Sequence, residues 1–245
     1  MKLITFRISG AFAAFRDPSV TTNQSVYYIP SKSAVVGILG AMIGVNRSDT
    51  LGEIYGKEYQ EFFKNTKIGI QFESVPNKVT FFTNHRSLKE PKTKPFKTEV
   101  LENPRYTIYV STDDESSKKL STALSKNEFK FSPYLGHAYC LATISEFKEV
   151  DAKKIADVKG KETKCVVLDE SETYNPDFEF KHDMVTGDSV IIERHIHHYF
   201  EDEKFDGRVL RHWIPTEGSV LEITKDSERG LSDFYKIGEY VVCIY

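Results

Sequence analysis

The densest run of chemistry-bearing side chains lies between residues 84 and 105, NHRSLKEPKTKPFKTEVLENPR, with six basic residues, three acidic residues and three prolines. Arg86, Lys89, Lys92, Lys94 and Lys97 fall within twelve residues, opposed there only by Glu90, with His85 and Phe96 alongside and Arg105 at the end of the run. Cations neutralise phosphates, and an aromatic face stacks a base for about 1–3 kcal/mol. The ribbon therefore suits a single-stranded nucleic acid, although the same composition also makes a solvated, lysine-rich surface loop. Its prolines keep it from being one continuous helix or strand.

A second constellation is the HxHH of His195, His197 and His198. Strand alternation puts His195 and His197 on one face, a pair able to ligate zinc. A tetrahedral site needs further ligands, however, and no neighbouring thiol or carboxylate pattern supplies them, so a structural or RNA-facing role is preferred and no metal or other cofactor is expected. P-loop, GxSxG, HExxH and paired-Asp nuclease signatures are absent from the sequence. A metal-independent ribonuclease would need only His, Lys and Tyr around a ribose 2′-hydroxyl. His85, Lys89, His182 beside Lys181, Tyr27 and Tyr28 are the candidates, and the sequence does not make them converge.

The elements that must carry these groups follow from periodicity. Residues 2–8 (KLITFRI) read as a strand, and 9–30 as a long loop containing Gly10, Pro18, Asn23 and Pro30, of a length uncommon unless functional. Ser31 is a good N-cap for KSAVVGILGAMIG, with Val35, Ile38, Leu39 and Met42 on its buried side. Gly37, Gly40, Ala41 and Gly44 recur at helical spacing, and each interior glycine costs about 1 kcal/mol relative to Ala. Either the helix packs tightly on a sheet, or another backbone, protein or nucleic acid, approaches it closely. A second helix over about 49–64, strands at 67–73, 79–82 and 106–110, a polar helix around 113–126 and a strand at 139–149 complete the first 150 residues. That order predicts an α+β fold, a ferredoxin-like, RRM-type sheet with helices on one face, as a domain over 1–150. From 151 to 245 the runs KCVVL, DSVIIERHIHHYF, RVLRHWI, GSVLEI and EYVVCIY predict a smaller antiparallel β region.

The net charge of −3 conceals an asymmetry: residues 1–150 carry 20 basic and 15 acidic side chains, 151–245 carry 13 and 21. A polyanion-facing N-terminal region accounts for that difference. With 40% apolar residues the chain buries enough surface to exclude a disordered class. Three widely spaced cysteines, Cys140, Cys165 and Cys243, without a CxxC pair or a signal peptide, indicate a reduced, cytoplasmic setting. The longest apolar stretch, Ala34 to Val45, is twelve residues long with three glycines, whereas a membrane span needs about 20. No membrane association is expected.

The block RISGAFAAFRDPSVTTNQSVYYIPSKSAVVGILGAMIG, with Gly10, the Phe15-Arg16 pair and the small-residue helix from Ser31 to Gly44, resembles the opening of the Cas-five family of CRISPR-associated subunits of type I effector (Cascade) complexes. SPYLGHAYC, around Gly136 and Cys140, resembles a second block of that family, and together the two cover roughly the first 145 residues. The resemblance implies a ferredoxin-like domain with a protruding β-hairpin thumb, here 84–105, and a smaller C-terminal β region. It implies a non-catalytic subunit, type I-B-like, that holds the 5′ handle of the CRISPR RNA (crRNA) and caps the backbone filament. The implied partners are that handle, the filament subunit and the large subunit, with target DNA beside the protospacer-adjacent motif as a further candidate. The match assigns handle contact to Arg16, Ser31 and Lys32, the last two at a helix N-terminus that offers N–H groups to phosphate. His137 stands where the family pattern leads one to expect a more basic residue, which weakens any phosphate role for that block. One branch of the family, in type I-C systems, cuts precursor RNA, so a metal-independent endoribonuclease is the alternative.

Overall fold

Leu3, Ile4, Phe6 and Ile8 are almost fully buried, which places the first strand, β1 (Lys2–Ser9), at the centre of a sheet. In this computed structural model the described residues are 1–20, 24–48, 54–86, 92–169, 178–181, 190–223 and 232–245. After β1 come β2 (Phe12–Ala13), α1 (Lys32–Ile43), α2 (Lys57–Asn65), β3 (Lys67–Ser74), β4 (Asn77–Arg86), β5 (Thr93–Glu102), β6 (Arg105–Ser111), α3 (Asp114–Lys126) and β7 (Thr143–Asp151). Short strands follow, β8 (Lys153–Ile155), β9 (Glu162–Thr163), β10 (Val167–Asp169) and β11 (Phe178–Lys181). The long β12 (Val190–Glu201) and β13 (Lys204–Pro215), then β14 (Val220–Ile223), β15 (Asp233–Ile237) and β16 (Tyr240–Ile244), end the chain. The fold is α+β and rich in sheet, with three helices among the described residues.

β1 pairs antiparallel with β6 and β7, and β3 closes the other side, giving the order β3-β6-β1-β7. The register with β7 shifts between Thr5 and Arg7, where Glu146 takes the left-handed φ of 54° typical of an extra residue in a bulge. Alternation along these strands sends Ile4, Phe6, Ile8, Ile68, Ile70, Tyr106, Ile108 and Val110 into one core with α1, α2 and α3. Ser31 caps α1 by accepting the Ala34 N–H at 3.3 Å, and Gly44, at φ 84°, ends it in the left-handed turn that glycine adopts without strain. Asp113 caps α3 in the same way, accepting from the Ser116 N–H at 2.9 Å.

The opposite face of the sheet meets the C-terminal strands. Leu3 joins Cys165, Val167, Leu221, Phe234, Cys243 and Ile244 in a second buried cluster, against which Tyr109 and Val150 pack. Gly69 on β3 makes this contact possible: a Cβ there would lie 2.4 Å from the Cys243 carbonyl oxygen. The Ile68 N–H donates to the Tyr245 carbonyl and the Tyr245 N–H to the Ile68 carbonyl, each at 2.9 Å, so the chain end docks on β3. Leu168, Leu210, Ile214 and Tyr245 belong to the first core as well, so residues beyond 150 share buried surface with both faces of the sheet. No helix among the described residues is long and apolar enough to cross a membrane.

The basic run adopts more regular structure than its prolines suggest. β4 and β5 form a hairpin rooted at Asn77↔Glu102 and paired out to Arg86↔Thr93, so it starts seven residues before the expected 84, and Arg105 lies beyond it on β6. Pro95 stands opposite Asn84 near the exposed end, where a missing N–H costs little. The expected loop 9–30 is likewise stitched by long-range bonds. β2 pairs with β5, Arg16 bridges Val26, and Gln24 runs beside β5, its N–H donating to the Lys97 carbonyl at 3.0 Å.

Candidate nucleic-acid interface

The hairpin has two sides set by cross-strand pairing. On one, Phe82 stands opposite Lys97, and Arg86 opposite Thr93. On the other, Phe81 faces Thr98, Thr83 faces Phe96, and His85 faces Lys94 in register. Segments 79–86 and 92–98 hold four cations, Arg86, Lys92, Lys94 and Lys97, and no carboxylate; all four cations are exposed. Glu90 lies outside the described residues; Glu99, the nearest acid among those described, accepts the Val26 N–H at 3.0 Å at the base of the hairpin. Phe82 is 74% exposed, whereas Phe96 is half-buried. The aromatic best able to stack a base is thus Phe82, which sequence composition passed over. Its signal was register: it is the aromatic facing a lysine across the strand pair. Lys89 and His182 lie outside the described residues, and of the side chains of His85 and Lys181 nothing is described.

Arg16 connects the hairpin to a second concavity. It is exposed, with its guanidinium 3.5 Å from the Val20 carbonyl. The segment holding it runs beside β5 through Ala13↔Leu101 and beside the 135–136 turn through an Ala14 N–H to Leu135 carbonyl bond of 2.9 Å. Gly136 is required there: its φ is 88°, and a Cβ would sit 2.1 Å from the Ala14 carbonyl oxygen. Gly136 also lines a groove of about 780 Å³ along α1, with Gly37, Ala41, Arg47, Tyr55, Tyr134 and His198 among its walls. Gly37 is exposed, and among the described residues nothing stands within 4 Å of where its side chain would be, so none of them requires a glycine there. The Arg47 guanidinium lies 4.7 Å over the Tyr55 ring, a cation and an aromatic presented together.

Other predicted contacts go elsewhere. Ser31 is occupied as the α1 cap, with its hydroxyl 3.0 Å from that of Ser33. Lys32 turns inward: its ammonium lies 5.3 Å over the Phe63 ring, and burial, with the charge of Lys67, pushes its pKa down to about 8. It is therefore a half-buried cation beneath the helix start, a correction to its assignment as a handle contact. Arg105 is exposed on β6, away from the hairpin strands. His137 stacks on Tyr139 at 5.1 Å.

The histidines of β12 differ in burial: His195 is sealed in the interior, whereas His197 and His198 are half-buried and His198 reaches the wall of the α1 groove. His195 is fully buried, stacked on Tyr27 at 3.8 Å and on His212 at 4.3 Å, with Nε2 2.9 Å from Glu193. Burial, then Lys32, Arg208 and His198, push His197 down to about 4. His198 lies 3.4 Å from the Ser33 hydroxyl and stacks on Phe205. Among the described residues no group of three or more His, Cys, Asp or Glu side chains is placed to hold a metal ion. Tyr27 donates to Asp17 at 2.9 Å, and burial and that carboxylate raise its phenol pKa. Tyr28 lies beneath the Lys78 ammonium, which stands 4.1 Å over its ring.

The sheet face not covered by helices offers little to a polyanion. Arg7 there is paired with Glu73 at 2.7 Å and with Glu146, so its charge is already matched.

The comparisons with known proteins agree with this architecture. No curated protein matches the sequence significantly. Among solved structures, a chain of a CRISPR RNA-guided surveillance complex is similar over 89% of this chain and 91% of its own, with TM-score 0.54 at 13% identity. A CRISPR protein from Archaeoglobus fulgidus is similar over 99% and 98%, with TM-score 0.53 at 15% identity. The sequence model of the family described as CRISPR-associated protein (Cas_Cas5) matches residues 3–203, and the chain therefore belongs to that family.

Proposed function

We propose that this chain is an RNA-binding subunit of a CRISPR effector complex, holding the 5′ handle of the crRNA at one end of the filament without cutting it. The observation that carries the reading is the outer part of the β4–β5 hairpin, where exposed Phe82 stands across from Lys97 on the side it shares with Arg86. Lys92 and Lys94 are exposed as well, and the described segments 79–86 and 92–98 hold no carboxylate. Bases stack on the aromatic while phosphates meet the cations, as in other single-strand binders. In this reading the hairpin is the thumb. The RNA passes Arg16 and enters the groove along α1, where Gly37 leaves backbone open to close approach. The order β3-β6-β1-β7 within a β-α-β-β-α-β sequence supports a ferredoxin-like sheet. The face turned away from the helices is packed in part by the C-terminal strands and carries an Arg7 already paired with two carboxylates, so the RNA uses the hairpin and not the sheet platform. Membership of the family, and similarity to a chain of a CRISPR RNA-guided surveillance complex, support the assembly context.

The test is to incubate the chain with repeat-derived RNA in EDTA and follow both binding and integrity. Intact RNA, bound more tightly when it carries the 5′ handle than when that segment is scrambled, is the expected result. Cleavage within the repeat that leaves a cyclic phosphate would establish the endoribonuclease alternative. Equal affinity for scrambled RNA would remove the handle assignment.

A further inference from the structure

The segment between Arg16 and α1 anchors Val26 and Ile29 in the main core, and three separate elements also hold its backbone. From the hairpin, Lys78 donates to the Val26 carbonyl at 2.7 Å and Glu99 accepts the Val26 N–H at 3.0 Å. From the central sheet, the Tyr106 hydroxyl donates to the Tyr28 carbonyl at 2.6 Å. From β12, the Glu193 carboxylate accepts the Tyr28 N–H at 2.9 Å. Glu193 does more than cap one amide. Its side chain is only 11% exposed, it meets His195 Nε2 at 2.9 Å, and it lies 3.8 Å from the Lys78 ammonium. One carboxylate of the acidic C-terminal half therefore touches the loop, the base of the hairpin and the buried histidine stack. Lys78 is itself seated 4.1 Å over the Tyr28 ring.

We propose that Glu193 is a positioning residue that locks the 26–28 segment and the hairpin base onto β12, so that the RNA-facing surface is ordered before RNA arrives. The inference rests on the RNA-binding reading above. Its physical content is preorganisation: ordering that the free protein has already undergone is not charged against binding. The predicted sign separates it from simple electrostatics. Removing a carboxylate near an RNA surface should tighten binding through charge alone, whereas losing the lock should weaken it.

The experiment measures amide exchange in the free protein and RNA affinity across a salt series for wild type, Glu193→Ala and Glu193→Gln. Glu193→Ala is expected to lower protection at Val26, Tyr27 and Tyr28 by about 10-fold or more. It should weaken RNA binding by about 10-fold with an unchanged salt slope, because the same phosphates are met once the RNA is bound. Glu193→Gln keeps an oxygen for the Tyr28 N–H and should recover most of both losses. Leu221→Ala, in the second core cluster, supplies a globally destabilised control that should leave protection at 26–28 and affinity at wild-type values. Unchanged protection at 26–28 in Glu193→Ala overturns the lock whatever the RNA does. Binding as tight as wild type in both Glu193 variants, or an equal loss in Leu221→Ala, overturns the positioning role. Wild-type protein that binds no RNA while Glu193→Ala still loses protection would defeat the functional reading and leave the lock standing.

Discussion

The outer half of the β4–β5 hairpin and the inner half of β12 are built from the same kinds of side chain, and the fold puts them to opposite uses. On the hairpin, Arg86, Lys92, Lys94 and Lys97 are exposed beside a largely exposed Phe82. On β12, His195 is sealed between Tyr27 and His212, and His197 is pushed down to about 4 by burial and neighbouring cations. A charge left in water keeps its full field for a polyanion, whereas a buried base sheds its proton to avoid desolvation. The proposed RNA surface is thus where cations stay exposed to water, whereas the histidine motif is partly packing, with His195 interior and His198 at the wall of the α1 groove. Glu193 links the two regions.

The largest expected effect tests the platform common to both. Gly69→Ala drives a methyl into the Cys243 carbonyl, where backbone must move, and should cost about 3 kcal/mol or more of stability, read by denaturant unfolding. Retained stability would show that the C-terminal strands do not rest on β3 as described. Next, replacing Lys92, Lys94 and Lys97 together by Ala should weaken RNA binding roughly 100-fold at low salt and lower the log–log salt slope by about 0.7 for each phosphate left without its cation. An unchanged slope and affinity would remove the hairpin from the interface. Phe82→Ala should cost about 1–3 kcal/mol of binding with the slope intact, as removal of a stacking face predicts. Phe96→Ala should cost less, being half-buried, and a reversed order would restore the aromatic that composition favoured.

The smallest effect concerns β12 and pH. His197 titrates near 4 in the folded chain and near 6.5 when unfolded, so between those values the unfolded chain binds more protons. Stability is then complete above about pH 6.5 and falls as pH drops toward 4, by about 1–2 kcal/mol for a half-buried group. His197→Gln should flatten that part of the stability–pH curve. An unaltered curve would place His197 in solvent and erase the contrast with the hairpin.

Much of the frame was legible because its causes are local. The caps Ser31 and Asp113, the 3.6-residue spacing of α1 and the alternation of β1, β3 and β6 are written within a few residues of where they act. The second helix, expected over about 49–64, is α2 at Lys57–Asn65, with Tyr59, Phe62 and Phe63 turned to the core; residues 49–53 lie outside those described. The segment 9–30 read as a long loop because, besides its internal bonds, it is held by residues about 50 to 165 positions away, which no window along the chain reveals. Lys32 read as a phosphate contact from its place after an N-cap, but a side chain's direction follows from what lies beneath the helix.

Residue types and their order, by themselves, determined the strands, the helices, the surplus of cations in the first part of the chain and the resemblance to a family. Tertiary structure decided which of those cations remain in water, that Phe82 is more exposed than Phe96, and that His195 of β12 is interior. The reason is solvation: composition sets the charge a segment can carry, and only the assembled surfaces fix whether water, a partner side chain or an incoming phosphate satisfies it.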